Sequence, residues 1–123
     1  MDNEVHLYFN RALESLEESK LALNNEKYNL SINRSYYAVF YAAKALLIKK
    51  GIVTKKHSGT INKFGLEYVS NGKFDSGIAK FLRNLENDRT DADYDIQLIF
   101  SKEDAIDDLN NAETFIKECR KFL

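Results

Sequence analysis

"EKYNLSINRSYYAVFYAAKALLIKK", residues 26–50, is the stretch that decides the fold. Apolar and aromatic residues (Leu30, Ile32, Tyr36, Tyr37, Val39, Phe40, Tyr41, Leu46, Leu47) fall on nearly every side of a helix drawn through it. A helix apolar most of the way round lies at the centre of a bundle, or is covered on one side by its own subunit and on another by a second one. Lys49 and Lys50 suit the negative end of the helix dipole, and Gly51 is a ready residue for the left-handed turn that ends it.

Working outward, residues 4–23 place Val5, Tyr8, Phe9, Ala12, Leu13, Leu16 and Leu23 at close to helical spacing, with Glu14, Glu17, Glu18 and Lys20 opposite. A third helix, about 56–70, presents Ile61, Phe64, Tyr68 and Val69, and "NGK" closes it. A fourth, about 75–89, aligns Ile78, Leu82 and Leu85, and four residues further along that row stands Arg89. "SKED" at 101–104 has the form of a capping box, and Ala105, Leu109, Ala112, Ile116 and Cys119 make a final amphipathic helix. With no proline and glycines mostly at the joints, the expectation is one all-α domain: an up-and-down antiparallel bundle of about five helices.

A chain of 123 residues is long enough for a core without staples. Its single cysteine, Cys119, cannot form an internal disulfide, which fits a reducing compartment. "MDNEVHLYFNRALES" lacks a basic start followed by an apolar run, and "YYAVFYAAKALLI" is too short for a membrane span and is broken by Lys44. A cytoplasmic protein with no membrane partner is expected. The net charge of −1 hides a strong segregation: residues 27–66 hold eight basic residues and no acid, leaving ten basic against nineteen acidic residues elsewhere. Such asymmetry marks a surface facing a polyanion, or complementary faces of an oligomer.

The chemistry-bearing stretch is "NLENDRTDADYDIQ", residues 84–97. Asp91, Asp93 and Asp95 spell D-x-D-x-D, but an EF-hand loop would need glycine and glutamate where Ile96 and Lys102 stand. A looser carboxylate site for Mg²⁺ stays open beside simple hydration. Arg89 extends an apolar row, so it must be paired, face a cavity or lie at an interface. It reads either as half of a structural ion pair or as a guanidinium fork for phosphate. Arg34 is the only charge between Lys27 and Lys44, and Asp93 or Asp88 is its expected partner across helices two and four. Tyr36, Tyr37 and Tyr41 have the chemistry to stack on bases, but their spacing assigns them to the core. His57, in "KKHSGT", begins helix three beside basic residues, where Lys56 can contact phosphate and His57 can move a proton. No glycine-rich phosphate loop, Cys-x-x-Cys pair, His-Glu-x-x-His pair or nucleophile elbow is present, so no cofactor is expected.

"NRSYYAVFYAAKALLIKKG" (33–51), "KHSGTINKFGLEYV" (56–69) and "RTDADYD" (89–95), in that order, resemble the HEPN superfamily, in particular the small stand-alone proteins encoded beside a minimal nucleotidyltransferase. The resemblance covers nearly the whole chain. It implies a helical homodimer whose polar motifs face a shared cleft, and in many members a metal-independent ribonuclease acting as the toxin of a toxin–antitoxin pair. The family signature is an arginine followed after four to six residues by a histidine. Arg89 matches it, but the residue after four intervening positions is Tyr94. A phenol with an ordinary pKa near 10 is a poor general base at neutral pH. The resemblance therefore leaves two readings. In the first, Arg89 is the phosphate fork, Asp93 the orienting carboxylate and Tyr94 a hydrogen-bonding partner, with His57 recruited for proton transfer. In the second, a non-catalytic module binds a nucleotidyltransferase, nucleotide or RNA. By the same resemblance, Tyr94 is a candidate acceptor of nucleotide from such a partner.

Overall fold

The computed structural model describes residues 2–123. Its helices are α1 (Asp2–Asn24), α2 (Tyr28–Lys49), α3 (His57–Phe64), α4 (Ser76–Tyr94) and α5 (Lys102–Arg120), with no strand among the described residues. Cross-helix partners fix the directions. Ser19 meets Ser31 and Ser35, while Tyr8 meets Tyr41, so α1 and α2 are antiparallel. Asn33 meets Asp93 and Tyr36 lies under Arg89, so α2 and α4 are antiparallel as well. Lys20 reaches Glu113, and Arg120 covers Phe9, which sets α5 against α1. The result is the expected all-α up-and-down bundle, with the short α3 added.

α2 is its axis, packing against α1, α3, α4 and α5. Ala38, Ala42, Ala43 and Ala45 are fully buried along it, and these small side chains let neighbouring helices approach closely while Val39, Leu46, Leu47 and Ile48 fill the spaces. Where α1 and α2 cross, the hydroxyls of Ser19, Ser31 and Ser35 bond one another at 2.8–2.9 Å, so their burial leaves no orphan donor. Gly51 adopts φ +76° after α2, which ends the helix in the left-handed conformation that glycine accepts without strain.

One helical geometry and one boundary differ from the sequence expectation. Helix three is α-helical for eight residues only, then widens into a π-helical turn over Gly65–Val69. The Tyr68 hydroxyl donates from that turn to the Leu46 carbonyl at 2.6 Å, seating a bulky ring against α2. Helix four continues through the acidic stretch to Tyr94 instead of ending near Arg89. No helix breaker interrupts it. Glu86 accepts from Thr90 one turn on, and Arg89 faces Asp93 one turn further. At α5 the capping box is complete: Ser101 Oγ accepts from the Asp104 amide and Asp104 accepts from the Ser101 amide. Among the described residues no helix is long and apolar enough to cross a membrane.

Candidate functional site

Leu82, Leu85 and Arg89 form the buried row of α4, which carries a guanidinium into the bundle, 9 % exposed, against α2. Its Cζ lies over the Tyr36 ring, 4.9 Å from the centroid, and 5.9 Å from that of Tyr37. Nη2 donates to both oxygens of Glu86 at 2.9 and 3.1 Å, and Nη1 lies 3.6 Å from Asp93. Nε is buried with no partner. Asp93 also accepts from Asn33 of α2 at 3.1 Å. Burial alone would raise the Glu86 pKa, but hydrogen bonds from Tyr36 and Arg89 and the guanidinium charge outweigh it and hold the group below its ordinary value. The same pairing overcomes burial at Arg89 and raises its pKa.

His57, the first residue of α3, completes the cluster. Its Nδ1 is 2.8 Å from the Tyr36 hydroxyl, and its ring stacks on Phe40 with centroids 4.2 Å apart. Burial, then the Arg89 charge, lowers its pKa, and the positive end of α3 adds to that preference for a neutral ring. Tyr36 is raised by burial and by the adjacent Glu86, so it stays a phenol. One ring therefore touches both an imidazole and a guanidinium. The contact between the Tyr36 hydroxyl and His57 Nδ1 holds the imidazole in place and leaves Nε2 for a further partner.

The remaining sequence candidates divide. Arg34 does not reach Asp93 or Asp88. Its Nε donates to Asn33 at 3.0 Å, its Nη1 to Glu18 of α1 at 3.3 Å, and its guanidinium covers Tyr37 at 4.8 Å. The reason is helical geometry: Asn33 and Arg34 are about 100° apart on α2, so Asn33 faces α4 and Arg34 faces α1. Tyr94 does not join Arg89 either, being five residues, roughly 140°, further round the helix, and its side chain is 77 % exposed. Lys56 is exposed, and its carbonyl accepts from the Thr60 hydroxyl at 3.1 Å to start α3. Tyr36 is core, as the spacing predicts, whereas Tyr37 and Tyr41 are only half-buried. Glu86, Tyr36 and Asn33 are site members that the sequence reading missed. The signals were present: Glu86 sits one turn before Arg89, and a buried tyrosine hydroxyl needs a partner. Among the described residues, no three His, Cys, Asp or Glu side chains are grouped to hold a metal.

Comparison with known proteins matches residues 5–122 to the HEPN domain family. A UPF0332 protein of Thermotoga maritima is 35% identical over 97% of this chain and 90% of its own length. A protein of Methanocaldococcus jannaschii named "Putative toxin MJ0142" is 34% identical over 98% of this chain and 82% of its own. The crystal structure of TT1696 from Thermus thermophilus superimposes with a TM-score of 0.84, covering 98% of this chain and 99% of that one at 16% identity, a likeness of fold.

Proposed function

The chain belongs to the HEPN domain family, and from that premise we propose that it is a toxin-type HEPN protein that cleaves RNA without a metal ion. The observation that carries this reading is the pair of contacts on Tyr36: His57 Nδ1 at 2.8 Å and the Arg89 guanidinium at 4.9 Å. They put a neutral imidazole and a fixed positive charge around one ring, the two requirements of cleavage by the ribose itself. In that reaction the 2′-hydroxyl attacks the adjacent phosphorus, its proton passes to His57 Nε2, and the bond from phosphorus to the 5′-oxygen breaks. A 2′,3′-cyclic phosphate forms, and the leaving oxygen takes a proton from the imidazolium. Arg89 Nη1, whose contact with Asp93 is long, is the donor offered to the phosphate oxygens; Glu86 and Tyr36 hold both groups in position. Tyr94, exposed on the last turn of α4, has no role in this step. It remains the candidate acceptor of nucleotide from a nucleotidyltransferase partner, in a homodimeric toxin controlled by that partner.

A second reading is favoured by the two carboxylates that already occupy Arg89: a non-catalytic module that binds the nucleotidyltransferase, nucleotide or RNA. A panel of transfer and messenger RNAs incubated with the protein in excess EDTA decides between them. Cleavage that falls by roughly 100-fold or more in His57→Gln and Arg89→Lys, and persists in Tyr94→Phe, is the expected result. Intact RNA after incubation with folded wild-type protein overturns the nuclease reading in favour of the module. Light scattering on the same preparation tests the homodimer.

A further inference from the structure

The aromatic run of α2 does not end at the Tyr36 cluster. Tyr37, whose ring lies 5.6 Å from His57, is followed by Tyr41 at 5.8 Å, and Tyr41 by Tyr8 of α1 at 6.3 Å. All three residues are half-buried, so part of each remains open to solvent. Each carries a cation. Arg34 lies over Tyr37 at 4.8 Å, Arg11 over Tyr41 at 5.5 Å, and Lys44 over Tyr8 at 5.3 Å. Glu18, bound to Arg34, is the one carboxylate paired with these cations among the described residues. Sequence spacing alone places such tyrosines in the core; here they form a surface row that starts at the candidate site and crosses from α2 to α1.

Flat π-faces and guanidinium planes at near-regular intervals, interleaved with point charges, are what a single strand of nucleic acid requires. Bases stack on the rings and the Arg planes, phosphates meet the cations, and no base-edge donors are needed. A duplex, with its bases already stacked on one another, cannot use the rings. A protein partner would need an acidic face to match three cations and apolar side chains to cover the rings, and the row is not an apolar surface. We propose that Tyr37, Tyr41 and Tyr8, with Arg34, Arg11 and Lys44, form a track for single-stranded RNA that delivers the strand to the Arg89–His57 cluster. The proposal rests on the RNA reading above and adds to it the strand state of the substrate and the path it follows.

A fluorescent 2′-O-methyl decamer of mixed sequence, which lacks the attacking hydroxyl and cannot be cleaved, separates this proposal from the nuclease chemistry. Anisotropy is expected to show binding of the single strand and much weaker binding of its duplex. In the Tyr8→Leu/Tyr41→Leu variant, which keeps apolar bulk against the core, affinity is expected to fall roughly tenfold or more. Arg34→Gln and Lys44→Gln are each expected to reduce the slope of log affinity against log salt by about 0.7. Circular dichroism confirms that the variants remain folded. If decamer binding stands and no RNA is cleaved under any condition, the track holds and the nuclease reading fails. If RNA is cleaved but the leucine variant binds the decamer as wild type does, the track is wrong. It is equally wrong if the duplex binds as well as the single strand, or if the leucine variant keeps its affinity and changes only the oligomeric state.

Discussion

At the scale of single residues, Arg89 is a cation placed on the apolar row of its helix because two carboxylates and an aromatic face compensate for its loss of water. Arg89→Met supplies similar bulk but leaves the Glu86 carboxylate, itself only 23% exposed, without its cation. A loss of about 2 kcal/mol in unfolding free energy is expected by chemical denaturation. The Arg89→Met/Glu86→Gln double variant is expected to lose less than the two single variants together, by about 1 kcal/mol or more. Strict additivity would show that the pair is not coupled. His57 offers an independent reading of the same cluster. Its pKa is lowered by burial and by Arg89, so its NMR titration is expected to have a midpoint below 6.5, moving upward in Arg89→Met. The linkage has a definite sign: the unfolded chain binds the proton more readily, so this group's contribution to stability is present above pH 6.5 and is lost as pH falls through the folded value. A midpoint at or above 6.5 in the native protein would contradict the assigned environment.

At the scale of elements, the contact between α4 and α5 carries a second buried charge question. Asp108 of α5 is 7 % exposed with Oδ2 unpartnered, and burial, together with the neighbouring Asp88 of α4 and Asp104 and Asp107 of α5, pushes its pKa up to about 8. The folded state then holds a proton that the unfolded chain has released, so stability falls as pH rises from 3.8 to about 8. Asp108→Asn keeps the shape and needs no proton. It is expected to be more stable than wild type by about 1–3 kcal/mol at about pH 9, with the difference shrinking toward about pH 6. Parallel stability curves over that range would show that Asp108 does not titrate there. The elements themselves were legible because their signals are local: the apolar circumference of α2, the Ser101–Asp104 cap and the glycine after Lys50 each act within a turn or two. The end of α4 was not, because acids at the negative end of a helix read as a stop until their partners, Arg89 and Asn33, are placed around them. For the same reason the partner of Arg34 lies on α1 and not on α4 as the sequence suggests. Its partner depends on which side of α2 faces α1, and a one-residue step changes that by about 100°. Arg89 and His57 were legible as candidates, but Tyr36 joins them through a hydroxyl contact between residues 21 apart, which no periodicity records.

At the scale of the whole molecule, the chain is one bundle about α2, and the question is whether it opens as one. Cys119 is a natural probe, since it is the only thiol, is fully buried in the last full turn of α5, and has its pKa raised well above the ordinary thiol value by burial. A helix end commonly frays, but this one is tied on several sides. Lys49 of α2 donates to the Phe122 carbonyl, the Phe122 ring packs on Tyr68 and Phe74, and Arg120 covers Phe9 of α1. Releasing Cys119 means breaking contacts to α1, α2 and the π-helical turn together, and such a release approaches global unfolding. Reaction with an aromatic disulfide reagent is therefore expected to be slow under native conditions. The free energy of the opening that exposes the thiol is expected to fall with denaturant along the same slope as the equilibrium unfolding of the whole chain. A fast reaction with little denaturant dependence would instead show that the end of α5 opens by itself, and the bundle would then have a separable part at the end remote from the Arg89–His57 cluster.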